Sequence, residues 1–313
     1  MIKYLSVNKN YIDESVKMVT TAYDKEREVV QILPDDNFRD YFYSAINRLF
    51  TQGTGLAAFN RNRLVGFLSG VPVDKFHGTR PGIYCPIYGH GAVEDNQSEI
   101  YRGLYEQAAK MWVVKNLSTH AITMFSHQQD LINTFFWQGF GMRCIDAIRK
   151  TSTINVQNSA VYIKKSTLKD AEKLADIHAQ LNHYLRQSPM FMINKKDTDE
   201  VQKHIQFLQE KNCHEWVAYR NDVPIGCIKI QPMAETFVSD HPSVMNIKWM
   251  YVVEGERRTG AGTLLLNTLQ EWLLQHKYPL CGVDYESINP LGSRFWMKYF
   301  TPYTYSLVRK IDE

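Results

Sequence analysis

The chain has 313 residues, 44% of them hydrophobic and 22% charged. That composition excludes a disordered chain, and the length suits about two domains, each able to bury a core. A formal net charge of +3 is too small to announce a nucleic-acid or membrane partner, and no segment is long and apolar enough to span a bilayer. Residues 1–9 carry no signal-peptide core, so a cytoplasmic chain is expected. The five cysteines show no Cys-x-x-Cys spacing, and the ten histidines include no helical His-x-x-x-His pair with an intervening Glu. Neither a disulfide scaffold nor a metal site is expected.

In chain order, a short strand is followed by an amphipathic helix over 11–23. A strand-to-loop stretch then interleaves Tyr84, Tyr88 and His90 with Gly89 and Gly91, and an aromatic segment at 133–140 ends in Gly139-Phe140. The polar residues 151–159 read as a crossing. Beyond it the order repeats, with a helix over 168–181 and a segment, Ala218 to Gly226, that parallels Ala58 to Gly66 at an offset of 160 residues. Phe136-Trp137 and Phe295-Trp296 stand 159 apart, and Arg149-Lys150 and Arg309-Lys310 stand 160 apart. The economical reading is a duplicated domain, with 1–150 as one copy, 151–160 as linker and 161–313 as the other.

The most informative segment follows in the second copy. An apolar, β-branched run ends at Val253, a short turn follows, and Arg257-x-x-Gly260-x-Gly262 opens a helix carrying Leu265, Leu269, Trp272 and Leu273. Strand, glycine turn and helix in that order describe a phosphate cradle, because glycines let backbone N–H groups approach an anion and the helix's positive end faces the same point. Arg257 and Arg258 add full charges. The alternative is a first turn whose glycines simply pack against the sheet. No Gly-Lys-Ser/Thr follows, so the segment is not a Walker loop, and Gly-x-Gly-x-x-Gly is absent, so it is not a dinucleotide fingerprint. A second strand, 280–286, leads into Asn289 and an aromatic-rich helix through Phe295, Trp296, Tyr299 and Phe300.

These residues resemble the GCN5-related N-acetyltransferases (GNAT), whose acetyl-CoA pyrophosphate loop reads Arg/Gln-x-x-Gly-x-Gly/Ala between a strand and a helix, with a strand, an Asn and an aromatic helix downstream. The resemblance implies an α/β (α+β) fold made of two tandem GNAT-like domains, each a mixed, mostly antiparallel sheet flanked by helices. It implies acetyl-CoA as cosubstrate, held by Arg257, Arg258, Thr259, Gly260, Ala261, Gly262 and Thr263, by strand groups at Val252 and Val253, and by Asn289 and Trp296. The expected activity is direct transfer of the acetyl group to a small-molecule or peptide amine in the C-terminal domain. The alternative is a non-catalytic protein that binds or senses acyl-CoA. At the position of the glycine loop the first copy carries Glu94, Asp95 and Glu99, which would repel a pyrophosphate. It is therefore expected to be degenerate and to wall the substrate cleft with Tyr84, Tyr88 and His90, core packing being the alternative for Tyr84.

Direct transfer needs a neutral amine, a steadied oxyanion and a proton for the departing thiolate. Backbone N–H groups at Val252 and Val253 are expected to meet the thioester carbonyl. Asp284 and Glu286 alternate onto one strand face, and Glu286, nearer the cleft end, is the expected base. Many family members place a Tyr seven residues beyond the Asn as the acid. Here Trp296 stands there, and its indole N–H is a poor acid, which leaves Tyr285 or Tyr299 as substitutes.

Overall fold

The computed structural model describes residues 2–52, 54–76, 80–156, 160–192 and 199–311. In chain order the first elements are β1 (Ile2–Ser6), α1 (Ile12–Val29), α2 (Arg39–Gln52), β2 (Thr54–Asn60), β3 (Arg63–Phe76), β4 (Arg80–Cys85) and β5 (His90–Ala92). Next come α3 (Gln97–Val114), β6 (Thr119–Phe125), α4 (Gln129–Phe136), β7 (Gly141–Lys150), β8 (Tyr162–Lys165), α5 (Ala171–Arg186) and α6 (Glu200–Gln209). The last are β9 (His214–Arg220), β10 (Val223–Gln231), β11 (Val244–Val252), α7 (Ala261–Gln275), β12 (Leu280–Glu286), α8 (Pro290–Tyr299) and β13 (Thr301–Lys310). They group into two compact units, Met1–Asp146 with Pro302–Glu313, and Ala147–Thr301.

Each unit is a mixed, mostly antiparallel sheet flanked by helices, and the order of pairing is the same in both. In the first unit β1, β2, β3 and β4 pair antiparallel in turn, and β4 then pairs parallel with β6. In the second, β8, β9, β10 and β11 pair antiparallel in turn, and β11 pairs parallel with β12. The segments 160 residues apart are β-hairpins with two-residue loops. Asn60 faces Arg63 and Arg220 faces Val223, and both loop residues have positive φ in each: Arg61 (47°) and Asn62 (66°), Asn221 (48°) and Asp222 (61°). A loop with φ > 0 at both positions matches the twist of the flanking strands, and Asn and Asp tolerate it better than most residues.

The expected domain boundary differs from the structural division in the last strand. Residues 302–313 group with the first unit, because β13 pairs antiparallel with β6 from Thr304 to Lys310 and sets Leu307, fully buried, into the core of Leu104, Trp112, Met124 and Phe135. Periodicity cannot reveal this, since it shows that a strand exists and not which sheet edge takes it. The expected crossing is ordered where it is described: Thr151 N–H donates to Pro279 O, and Ile154 N–H to Asn267 Oδ1 on α7. Residues 157–159 lie outside the described residues.

In the second unit α7 is held by Leu265, Leu266, Leu269 and Leu273, all fully buried on one stripe. It ends at His276, after which Lys277 turns left-handed at φ 61° and Pro279 prevents continuation. The parallel pairing of β11 with β12 runs only from Val244–Leu280 to Ile247–Val283. It is tight there, since a Cβ at Gly282 would collide with the Asn246 side chain, whose amide donates to the Ser239 carbonyl. Beyond Ile247 the two strands have no paired residues. The place of β13 is testable: Leu307→Ala should cost the first unit ~2–5 kcal/mol, read as a lower denaturant midpoint and as earlier proteolytic cleavage within residues 1–146.

Candidate active site

The end of β11 is an open strand edge. Val253 N–H donates to Ile225 O (2.9 Å), and N–H groups alternate in direction along an antiparallel strand. Val252 and Met250, opposite Gly226 and Ile228, therefore turn their backbone groups away from β10, toward the side that β12 has left. Of the two expected strand donors only Val252 is available to a ligand. The ladder takes the Val253 N–H, and the Met250 N–H joins that of Val252 on the open side.

The turn that follows places a helix start beside this edge. Gly260 caps α7 with φ 90°, a conformation that is strained for any residue with a side chain, and no side chain bonds the first helical turn. The first intrahelical bond of this turn is Leu264 N–H to Gly260 O (2.9 Å), so the N–H groups of Ala261, Gly262 and Thr263 point outward. A Cβ at Gly260 would meet nothing within 4 Å, and one at Gly262 would make only ordinary contact with Phe295 (3.5 Å) and Met250 (3.6 Å). Conformation thus requires glycine at 260, whereas no close neighbour requires it at 262. Arg258 is exposed and forms no ion pair among the described residues. Arg257 is folded back. Its Nε donates to Val252 O (3.2 Å), and its guanidinium lies 4.9 Å from the centre of the Tyr184 ring and 5.7 Å from that of Tyr251. Thr259 donates to Glu256 O (2.7 Å), and Glu256 pairs with Arg220 (3.0 Å), which fixes the turn and occupies one of its carboxylates.

Asn289 is the N-cap of α8, its Oδ1 accepting from Gly292 N–H (3.1 Å) and from the Tyr184 hydroxyl (2.9 Å). Tyr184, absent from the sequence reading, thus links α8 to Arg257 and the glycine turn. Trp296 is buried and lines a cavity of about 550 Å3 with Asp284, Glu286, Phe207, Lys248 and Trp249. Of the two expected catalytic groups, Glu286 lines this cavity, and the Tyr299 hydroxyl pairs with Thr263 (3.2 Å) on the first turn of α7.

Two members of a buried polar cluster, His178 and Lys229, line the same cavity. Glu215, fully buried on β9, accepts from His178 Nε2 (2.8 Å) on α5 and faces His204 Nδ1 (3.1 Å) on α6 and Lys229 Nζ (3.8 Å) on β10. Burial alone would raise the Glu215 pKa, yet the two imidazole hydrogen bonds and the Lys229 charge bring it down to about 2. The three acid and imidazole groups lie within 4.8 Å of one another, a spacing that could hold a metal ion, but Lys229 already supplies the balancing positive charge. A charge inside an apolar strand run, Glu215 before Trp216-Val217 and Lys229 between isoleucines, was the signal in the sequence.

The remaining expected residues lie in the first unit. His90 is buried with both ring nitrogens engaged, by Tyr101 Oη (2.8 Å) and Thr123 O (2.8 Å), and burial lowers its pKa to about 4. Tyr84 Oη meets Thr123 Oγ1 (3.0 Å), and Tyr88 packs edge-on to Tyr41. At the position of the glycine turn, Asn96 keeps the left-handed conformation (φ 57°) ahead of α3, while Glu94 pairs with Lys25 (2.6 Å) and Glu99 with Arg102 (2.9 Å). A cavity of about 830 Å3 lies there.

Residues 178–286, inside the second unit, match the model of the acetyltransferase (GNAT) family. No curated protein matches the chain. Among solved structures, a GCN5-related N-acetyltransferase from Sphaerobacter thermophilus is similar over 100% of this chain and 96% of its own, with a TM-score of 0.62 and 9% identity. A GCN5-related glucosamine N-acetyltransferase region of a fungal multi-domain β-N-acetylglucosaminidase is similar over 98% of this chain and 38% of its own (TM-score 0.57, 13% identity). A tandem GNAT protein from the clavulanic acid biosynthesis pathway covers 100% and 99% (TM-score 0.49, 10% identity). At these identities the likeness is one of fold. No helix among the described residues is long and apolar enough to cross a membrane.

The Glu215 cluster predicts an acid response. Because its carboxyl lies below the usual range, the folded unit favours the charged form, and this stabilisation is full above the ordinary carboxyl range and lost as pH falls toward 2. Denaturant unfolding at stepped pH should show the wild type weakening across that window. Glu215→Gln, weaker already at neutral pH, should show a flatter acid limb.

Proposed function

We propose that the second unit transfers an acetyl group from acetyl-CoA directly to an amine. What supports this most is one juxtaposition: the open edge of β11 at Met250 and Val252 lies directly before the uncapped N-terminus of α7. An elongated ligand with amides along its length and a pyrophosphate at one end needs both features. Strand N–H and C=O groups pair with amides, and helix N–H groups with Arg258 meet the phosphates. When bound there, acetyl-CoA would supply an activated thioester.

The residues of the chain divide the remaining work. Ala261, Gly262 and Thr263 offer N–H donors to the phosphates, and Arg257 braces the turn through Val252, Tyr184 and Tyr251. Tyr299, bonded to Thr263, is assigned to the cofactor side. Glu286, on the wall of the 550 Å3 cavity beside Asn289, is assigned to hold the acceptor's ammonium group, with Asp284 two residues before it. Tyr84, Tyr88 and His90 belong to the other unit, where the hydrogen bonds and ring contact described above suit a structural role. The cavity's mixed lining fits a small amine or a peptide terminus.

Thiol release across a panel of amines tests the activity: steady turnover with at least one supports it, whereas acetyl-CoA binding with no thiol release from any amine would leave a binding or sensing protein. Calorimetry tests the site. Gly260→Asp should abolish acetyl-CoA binding, and Arg258→Glu, which exchanges one side chain for another at a backbone position that is already left-handed (φ 65°), should weaken it at least about tenfold, a loss of ~1.4 kcal/mol. Glu94→Lys in the first unit should leave it unchanged. Glu286→Gln should raise KM for the amine while acetyl-CoA affinity holds. Unchanged binding by both folded loop variants would refute the assignment.

A further inference from the structure

The sheet face covered by α5 and α6 carries a row of side chains across three strands. Lys229 on β10 stands opposite Glu215 on β9 and opposite Trp249 on β11, and directly opposed residues project to the same face. His178 of α5 comes down onto this row, 5.1 Å from the Trp249 ring and edge-on to it, with Nε2 at 2.8 Å from Glu215 Oε1. A carboxylate can only accept, so Nε2 carries the hydrogen and Nδ1 of the neutral ring keeps its lone pair. His204 faces the other carboxylate oxygen through Nδ1 (3.1 Å), and its Nε2 is engaged by the Ser166 hydroxyl (3.2 Å). His178 Nδ1 has no hydrogen-bond partner among the described residues. His204 Nδ1 and Glu215 Oε2 likewise make no well-aligned hydrogen bond, but they face each other at 3.1 Å, which leaves His178 Nδ1 as the imidazole nitrogen of the cluster with no polar partner among the described residues.

His178 and Lys229 line the cavity assigned above to the acceptor amine, together with Glu286, Asn289 and Trp296, and the unpartnered Nδ1 of His178 is itself buried. We propose that His178 takes the proton from the acceptor's ammonium group, directly or through a water molecule, with Glu215 as the residue that positions it. The inference rests on the transferase reading.

The chemistry favours an imidazole over the neighbouring carboxylates. Asp284 and Glu286 can attract an ammonium ion, but an ordinary carboxylate accepts a proton only in acid, whereas an imidazole exchanges one near neutrality. Burial lowers the His178 pKa and the Glu215 carboxylate opposes that shift, while Lys229 and His204, the other charged and titratable groups facing the ring, add to it. The ring is therefore held neutral and receptive at neutral pH. In the step itself R–NH3+ gives one proton to Nδ1, and the freed lone pair forms the N–C bond to the acetyl carbon. The C–S bond breaks, and a second proton leaves the nitrogen for the thiolate. The imidazolium is steadied by Glu215 and then returns its proton to solvent. The products are the amide, the CoA thiol and one H+.

The test pairs kinetics with histidine NMR on the full chain. Nitrogen-15 spectra of the wild type should show His178 neutral at pH 7 as the Nε2–H tautomer, and its titration should coincide with the acidic limb of kcat/KM. His178→Gln should lower kcat by about 10²-fold or more and flatten that limb, with acetyl-CoA affinity retained. Glu215→Gln should shift the limb, and imidazole added to His178→Ala should restore part of the rate. An Nδ1–H tautomer, a titration that does not match the limb, or full turnover in folded His178→Gln would overturn the inference and leave the transferase reading standing. A wild type that binds acetyl-CoA but releases no thiol with any amine would overturn both.

Discussion

The short parallel register of β11 on β12 is the constraint from which the site follows. Had pairing continued past Ile247, the backbone groups of Met250 and Val252 would be spent on a neighbouring strand. Because it stops there, a run of edge backbone lies open within a buried sheet, and open strand edges invite an extended partner. The sequence closes the pair tightly where it does exist, with Gly282 against Asn246, and the strands then part around a cavity. The helix start at Gly260 needs that opening to be useful, since its N–H groups would otherwise face only solvent. Arg257, Tyr184 and Asn289 brace the turn, β11 and α8 to one another.

The two units share backbone devices and differ in charge. Hairpin loops with two positive φ values recur because strand twist demands them, whichever residues are supplied. The left-handed residue ahead of α3 also persists, as Asn96 in place of glycine. The charge around it does not persist. Glu94 and Glu99 are tied to Lys25 and Arg102, and an acidic turn at a helix start suits the helix dipole but not a phosphate. Backbone shape and charge are therefore separable, and at the helix start of the second unit the left-handed Gly260 stands beside the exposed Arg258.

Much of this was legible in the residues because it is local. The β11 run, the glycine turn, the leucine stripe of α7 and the strand 280–286 are set by periodicity and turn chemistry within a few residues. The direction of one N–H at Val253 depends on register with β10, and the edge taken by β13 depends on contacts far along the chain. Neither is written locally. The cluster of His178, His204, Glu215 and Lys229 draws on four elements, so its members look unrelated in sequence; only the misfit of a charge in an apolar strand betrays them. His90 shows the converse, a suggestive residue whose two nitrogens turn out to serve the core.

On the proposed reading, one stretch of backbone, running from the open strand edge into the uncapped helix start, receives the cofactor. Amide hydrogen exchange with and without acetyl-CoA measures this directly. Exchange should slow at Met250, Val252 and Ala261 to Thr263, with Val253, already bonded to Ile225, changed little, and with no change at residues 93–98. Protection confined to residues 93–98, or none near Gly260 at saturating acetyl-CoA, would contradict it.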